Sequence, residues 1–149
     1  MQGSLQNADI HDQSYRDALK LLLESAFPGC TVICPFENHP QSVSYSDDRA
    51  REVFCHHVNL VRSCHAVIVY LPEASLGCGI EIWEAARHQT MVFSISPMER
   101  NWVIRIFSDR IFGDMDTFAD FARSGRMKHL ILEYADKYND QPKWSDVIL

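Results

Sequence analysis

CHAVIVYLPEASLGCGIEIWEA, residues Cys64 to Ala85, is the stretch whose reading decides the fold. Within it, Ala66 to Leu71 is an unbroken apolar run rich in β-branched and aromatic side chains, which predicts a strand buried on both faces. Pro72 stops the strand. Gly77 and Gly79 predict tight or positive-φ backbone that leaves room for a ligand to approach the main chain. A helix is expected from about residue 79 to 88, with the carboxylate of Glu81 in its first turn. Its free N–H groups and positive dipole end then face the C-terminal edge of the strand, where open α/β sheets hold their ligands. The expectation is a phosphate or sugar site.

The same reading extends in both directions. Upstream, Tyr15, Ala18, Leu19, Leu22, Leu23 and Ala26 fall at helical spacing over Asp12 to Phe27, and Pro28-Gly29 ends that helix. Cys30 to Pro35 (CTVICP) reads as a short strand, and Phe36 to Ser46 as a polar loop. Asp47 and Asp48 open a helix running to about Ser63. Downstream, Thr90 to Ile95 reads as a second buried strand, Met98 to Phe107 as a helix and Ile111-Phe112 as a short strand. Helices near 115–124 and 126–138 follow. Alternating strands and helices predict a parallel sheet covered on both faces. The pattern calls for a first strand before Gly3-Ser4, where only Met1 and Gln2 stand; the chain starts late or the sheet lacks an edge.

The 149 residues fit one domain with a substantial core, and the hydrophobic fraction of 46% with 23% charged is that of a globular protein. A net charge of -6 argues against nucleic acid as a partner. Small anions stay possible, because backbone donors can hold a phosphate inside an acidic protein. Cys30, Cys34, Cys55, Cys64 and Cys78 are an odd set without CxxC spacing, so a reducing, cytoplasmic compartment is expected. No apolar run has the length of a membrane span.

At SLGCGIE, Ser75 to Glu81, the sequence resembles the nucleoside 2-deoxyribosyltransferase family. The nearest pattern is its branch of 2'-deoxynucleoside 5'-phosphate N-hydrolases, where a Ser-x-Gly-x-Gly-x-Glu turn follows the third strand. Gly3-Ser4-Leu5 is similar to the Gly-Ser-Ile turn after that family's first strand. The resemblance implies a flavodoxin-like, Rossmann-like three-layer sandwich with a mostly parallel sheet, whose first strand this chain would hold only in truncated form. It also implies that Glu81 attacks or stabilises the anomeric carbon as the glycosidic bond breaks. Chemistry agrees, because cleavage builds oxocarbenium character that a fixed anion stabilises. A plain dipole-complementing role for Glu81 is the alternative.

Ser75 bears on the branch. Free-nucleoside transferases resemble one another in an Asp here, whereas a serine hydroxyl can donate to a 5'-phosphate that an Asp would repel. Ser75, Gly77 and Gly79 are therefore the expected phosphate cradle, with Gly3 and Ser4 reaching the same sugar–phosphate; a simple helix cap is the competing reading of Ser75. Where the family has an Asp on the preceding helix, this chain has His57, a candidate general acid or else a packing residue. In SPMERNWVIR, the resemblance implies that Asn101 and Arg105 contribute to the phosphate site across a homodimer, the alternative being a surface helix with Trp102, Ile104 and Ile106 partly buried. Phe36, His39 and Tyr45 are candidates to stack on the base.

Cys55, His56, His57, Cys64 and His65 cluster without any standard zinc spacing. No metal or organic cofactor is expected. The combined expectation is a homodimeric enzyme hydrolysing the N-glycosidic bond of a (deoxy)nucleoside 5'-monophosphate. A deoxyribosyltransferase and a non-catalytic nucleotide sensor are the rivals.

Overall fold

The structure, a computed structural model, describes residues 14–138, apart from the side chains of Phe36 and Tyr138. Gly3, Ser4 and the sought first strand lie outside the described residues. The chain forms two compact units that divide between Val53 and Phe54.

In the first unit, helix α1 (Ser14–Ala26) buries Leu19 and Leu23, one turn apart on a single face. It ends where Gly29 takes a φ of 88°, the left-handed conformation that stops helices and suits glycine. The strand expected at Cys30 to Pro35 is not found; residues 31–34 join no ladder among the described residues. Instead, Pro35 opens a one-turn helix, α2 (Pro35–Asn38), its fixed φ suiting the first helical position. Thr31, Val32 and Ile33 carry strand propensity, but propensity becomes a strand only where a neighbouring edge completes the hydrogen bonds. Lys20 Nζ reaches Glu37 Oε1 at 2.7 Å, and that bond raises the Lys20 ammonium above its ordinary value. The pair is exposed and adds little stability. His39 Nδ1 lies 3.0 Å from the Tyr45 hydroxyl, so these two loop residues bond each other. Helix α3 (Asp47–Val61) runs through the division.

The second unit holds a parallel three-stranded sheet in the order β1 (Ala66–Tyr70), β2 (Met91–Ile95), β3 (Arg110–Phe112). Ala66 pairs with Met91 and Tyr70 with Ile95; Phe93 pairs with Arg110 and Ile95 with Phe112. All five residues of β2 are buried, whereas β1 buries only Val69 fully. The both-faces burial expected of the 66–71 run therefore belongs to β2, the strand with a neighbour on each side.

Side chains alternate across β2. Val92 joins Val69, Ile82, Ala85 and Ile104 in a core built with α4 (Leu76–Arg87) and α5 (Trp102–Phe107). Phe93 points the other way, stacking with Phe112 of β3 and Phe121 of α6 (Met115–Arg123). Helices thus cover both faces of the parallel sheet, the flavodoxin-like α/β arrangement. Asp114 caps α6 by accepting from Thr117 N at 2.8 Å, and the bonds from the Thr117 hydroxyl and backbone hold its carboxyl below the usual range. Helix α7 (Arg126–Tyr138) closes the described chain. Strand order follows chain order, so no reversal, and no crevice made by one, occurs among the described strands.

Helix α4 ends in a two-bond cap. Thr90 N donates to Ala85 O at 2.9 Å and Gln89 N to Ala86 O at 3.4 Å, with Gln89 at φ 62°. Glycine is usual at this position, and a side chain there costs about 1–2 kcal/mol. Glycine's extra backbone entropy takes back about 0.5–1 kcal/mol. Gln89→Gly is therefore expected to stabilise the protein by about 0.5–1 kcal/mol, measured as a higher urea midpoint at unchanged m-value.

Candidate functional site

Past β1, Leu71 N still donates to Ile95 O at 2.9 Å, and Pro72 then ends the ladder. Ser75 is extended (φ -126°, ψ 125°) and is the N-cap of α4, its Oγ accepting from Cys78 N at 3.4 Å and its carbonyl from Gly79 N at 3.0 Å. The capping alternative for Ser75 is thus realised. The acceptor side of the hydroxyl is used, and its O–H remains a donor.

Helix α4 starts at Leu76, about three residues earlier than expected. Gly77 and Gly79 consequently lie within its first turn and a little beyond, not in a positive-φ turn; positive φ in glycine occurs among the described residues at Gly29 and Gly125. Nor does close packing demand them. A Cβ at Gly79 would meet nothing within 4 Å, and one at Gly77 would meet Phe54 at an ordinary 3.7 Å. Glu81 is the sixth helical residue, in the second turn and half-buried. Its expected first-turn position is therefore corrected, and the field of the helix end reaches it only weakly.

At 100° per residue, Gly77, Glu81, Glu84 and His88 form one stripe along α4, while Gly79 lies about 200° away from Glu81. The helix brings Gly77 and Glu81 together and turns Gly79 aside. Phe54 stands against Gly77, and Arg62 Nε donates to Glu84 Oε1 at 2.6 Å, so residues 54–62 follow this stripe in the same direction as α4. His57 lies one turn past Phe54 on α3, and Glu81 one turn past Gly77 on α4. His57 is half-buried, its ring centroid 5.6 Å from that of His56.

Helix α5 begins at Trp102, four residues later than expected. Asn101 is its cap, Oδ1 accepting from Val103 N at 3.0 Å and Ile104 N at 3.4 Å, so the acceptor of this candidate is taken and its amide donors are left. Arg105, one turn on, is exposed. Of the three residues read as partly buried, Ile104 is fully buried while Trp102 and Ile106 are exposed. Trp83 packs edge-on against Phe107 at 5.1 Å. Among the described residues no three His, Cys, Asp or Glu side chains are grouped to hold a metal ion, and no helix is long and apolar enough to cross a membrane.

One group escapes the reading of the sequence. Glu84 is buried, with Arg62 Nε at 2.6 Å, His88 Nε2 at 3.0 Å and an Arg87 Nη at 3.8 Å. Its i,i+4 spacing to His88 is a visible signal; the arginine 22 residues upstream is not. No protein-family model matches this chain, and neither the curated proteins nor the solved structures contain a significant match to it.

Proposed function

We propose that this protein hydrolyses the N-glycosidic bond of a (deoxy)nucleoside 5'-monophosphate, giving free base and sugar 5-phosphate. One observation carries the reading: Gly77 lies on the same stripe as the half-buried Glu81, one turn before it, and neither its backbone nor its packing requires a glycine, since a Cβ there would meet Phe54 at an ordinary 3.7 Å. Such a glycine costs about 0.5–1 kcal/mol relative to alanine in a helix. Room for a ligand against the backbone is a reason to keep it.

In this reading the C1'–N bond breaks with its electron pair leaving on the base, and the Glu81 carboxylate stabilises the cationic sugar. Water then bonds to C1' and gives its proton to the Glu81 carboxylate, which releases it to solvent. His57, the candidate general acid, gives its proton to the departing base. The Ser75 hydroxyl and the N–H groups of Leu76 and Gly77, which precede the first intrahelical bond, receive the 5'-phosphate. A second copy of the chain is the partner assigned to the exposed Trp102, Val103 and Ile106 of α5, countable by sedimentation of the pure protein.

The test is a panel of ribo- and deoxyribonucleoside monophosphates with chromatographic detection of released base. No release from any member would sink the reading. Two sets of variants sharpen it. Gly77→Ala and Gly79→Ala should each stabilise the protein by about 0.5–1 kcal/mol in urea. Only Gly77→Ala should also lower turnover, by about tenfold or more, because its methyl group occupies the Glu81 face. Equal turnover in the two would remove Gly77 from the site.

Ser75→Asp keeps a good N-cap, so the unfolding midpoint should hold. The added charge repels a 5'-phosphate, and kcat/KM for nucleotides should fall about 10²-fold while that for free nucleosides does not. Unchanged preference between the two would assign Ser75 to capping alone.

A further inference from the structure

A cavity of about 200 Å³ opens at the opposite edge of the sheet, where β1 and β2 begin. Its walls come from Arg62, Cys64 and His65 ahead of β1, from His88 to Thr90 ahead of β2, and from Tyr134 on α7. At about 30 Å³ per water molecule it holds a group of several heavy atoms. Among the described residues no carboxylate lines it.

The arginine is built into place. Glu84, buried behind the wall, accepts from Arg62 Nε at 2.6 Å and is also met by His88 Nε2 at 3.0 Å. The carboxylate thereby fixes the guanidinium through one nitrogen. Among the described residues the two Nη groups make no hydrogen bond, and Arg62 is half exposed at the cavity wall. Two arginines, Arg62 and Arg87, face one carboxylate here, which leaves an excess positive charge.

The remaining lining adds donors. Gln89 brings an amide, and it does so from φ 62°, the one non-glycine residue with positive φ among the described residues. Burial pushes the Cys64 thiol up, so it stays a protonated, weak donor. His65 carries at least one ring N–H. Thr90 adds no donor, its hydroxyl already donating to Val61 O at 2.8 Å.

We infer that this cavity binds a small oxyanion, a carboxylate or phosphate group, on the outer edge of the Arg62 guanidinium, with Gln89 as a second donor. A planar fork with free Nη groups matches two oxygens of such an anion. The site stands at the other edge of the sheet from Ser75 and Gly77, so it is separate from the proposed catalytic face.

The test titrates ¹⁵N-labelled protein with inorganic phosphate and, separately, with acetate, following the amides of residues 64–66, 88–90 and 75–79. The expected result is saturable shifts at 64–66 and 88–90, with an apparent Kd of about 1 mM for the better anion. Which of the two saturates first identifies the oxyanion. Arg62→Lys keeps the charge but loses the fork and should weaken binding about tenfold. Gln89→Gly relieves the backbone strain, so it folds and should weaken binding severalfold; it decides the matter if Arg62→Lys does not fold. Shifts confined to residues 75–79, no saturation, or unchanged affinity in the folded variants would each overturn the inference.

Discussion

Glu81→Gln is expected to lower kcat for base release by about 10²- to 10³-fold while KM for the nucleotide changes little. The amide matches the carboxylate in shape but carries no charge, so what it removes is stabilisation of the cationic sugar in the transition state. Losses of one preorganised electrostatic contact at a reacting centre are of this size. Because substrate recognition in this reading rests on Ser75 and Gly77, ground-state binding should survive, and a kcat effect without a KM effect is the signature of an interaction made in the transition state. Steady-state kinetics on the best nucleotide of the panel decides it, with circular dichroism confirming that the variant is folded. A variant as active as the parent would remove Glu81 from the chemistry and leave it as a helix residue.

The second large effect concerns stability. Phe93→Ala is expected to cost about 3–5 kcal/mol, read from the denaturant midpoint. Phe93 is fully buried on the central strand, its ring 6.4 Å from that of Phe112 and 6.1 Å from that of Phe121. Phe118 meets Phe112 edge-on at 5.2 Å, and the Arg110 guanidinium lies 4.3 Å from the Phe121 ring. These rings are held from strands and helix together, so the space left by Phe93 cannot close without moving an element. Against a total stability of about 5–15 kcal/mol, the loss approaches unfolding. A cost below about 1 kcal/mol would show that the aromatic layer collapses freely.

Much of this fold was legible in the sequence because its elements are marked locally. The run at 66–71, the run at 90–95 and the helical spacing at 115–124 each appear where expected, since periodicity and composition are properties of the segment itself. Which strand lies in the middle is not. Residues 66–70 and 91–95 look alike as apolar runs, and only the neighbours of β2 make it the buried one. The strand expected at Cys30 to Pro35 fails for the same reason: its side chains are suitable, but residues 31–34 join no ladder among the described residues.

The candidate site was legible in its residues but not in its geometry. Two glycines near a serine read as a turn, yet Ser75 caps the helix and the glycines enter it, which moves Glu81 to the second turn. Helical rotation then separates Gly79 from the pair Gly77 and Glu81, something a linear motif cannot display. The Arg62–Glu84 contact joins residues 22 apart through packing and leaves no linear trace beyond the Glu84–His88 spacing.

The sequential strand order also bears on how the sheet assembles. Among the described strands each pairing joins neighbours in the chain: Ala66 meets Met91, 25 residues on (91 − 66), and Phe93 meets Arg110, 17 residues on (110 − 93). Closing such short loops costs little entropy, and short sequence separations favour fast folding. Neither pairing waits for a segment synthesised later than its own second strand. A chain leaving the ribosome can therefore lay down β1, β2 and β3 in that order, with β2 exposed on its far side only until Arg110 to Phe112 arrive to cover it.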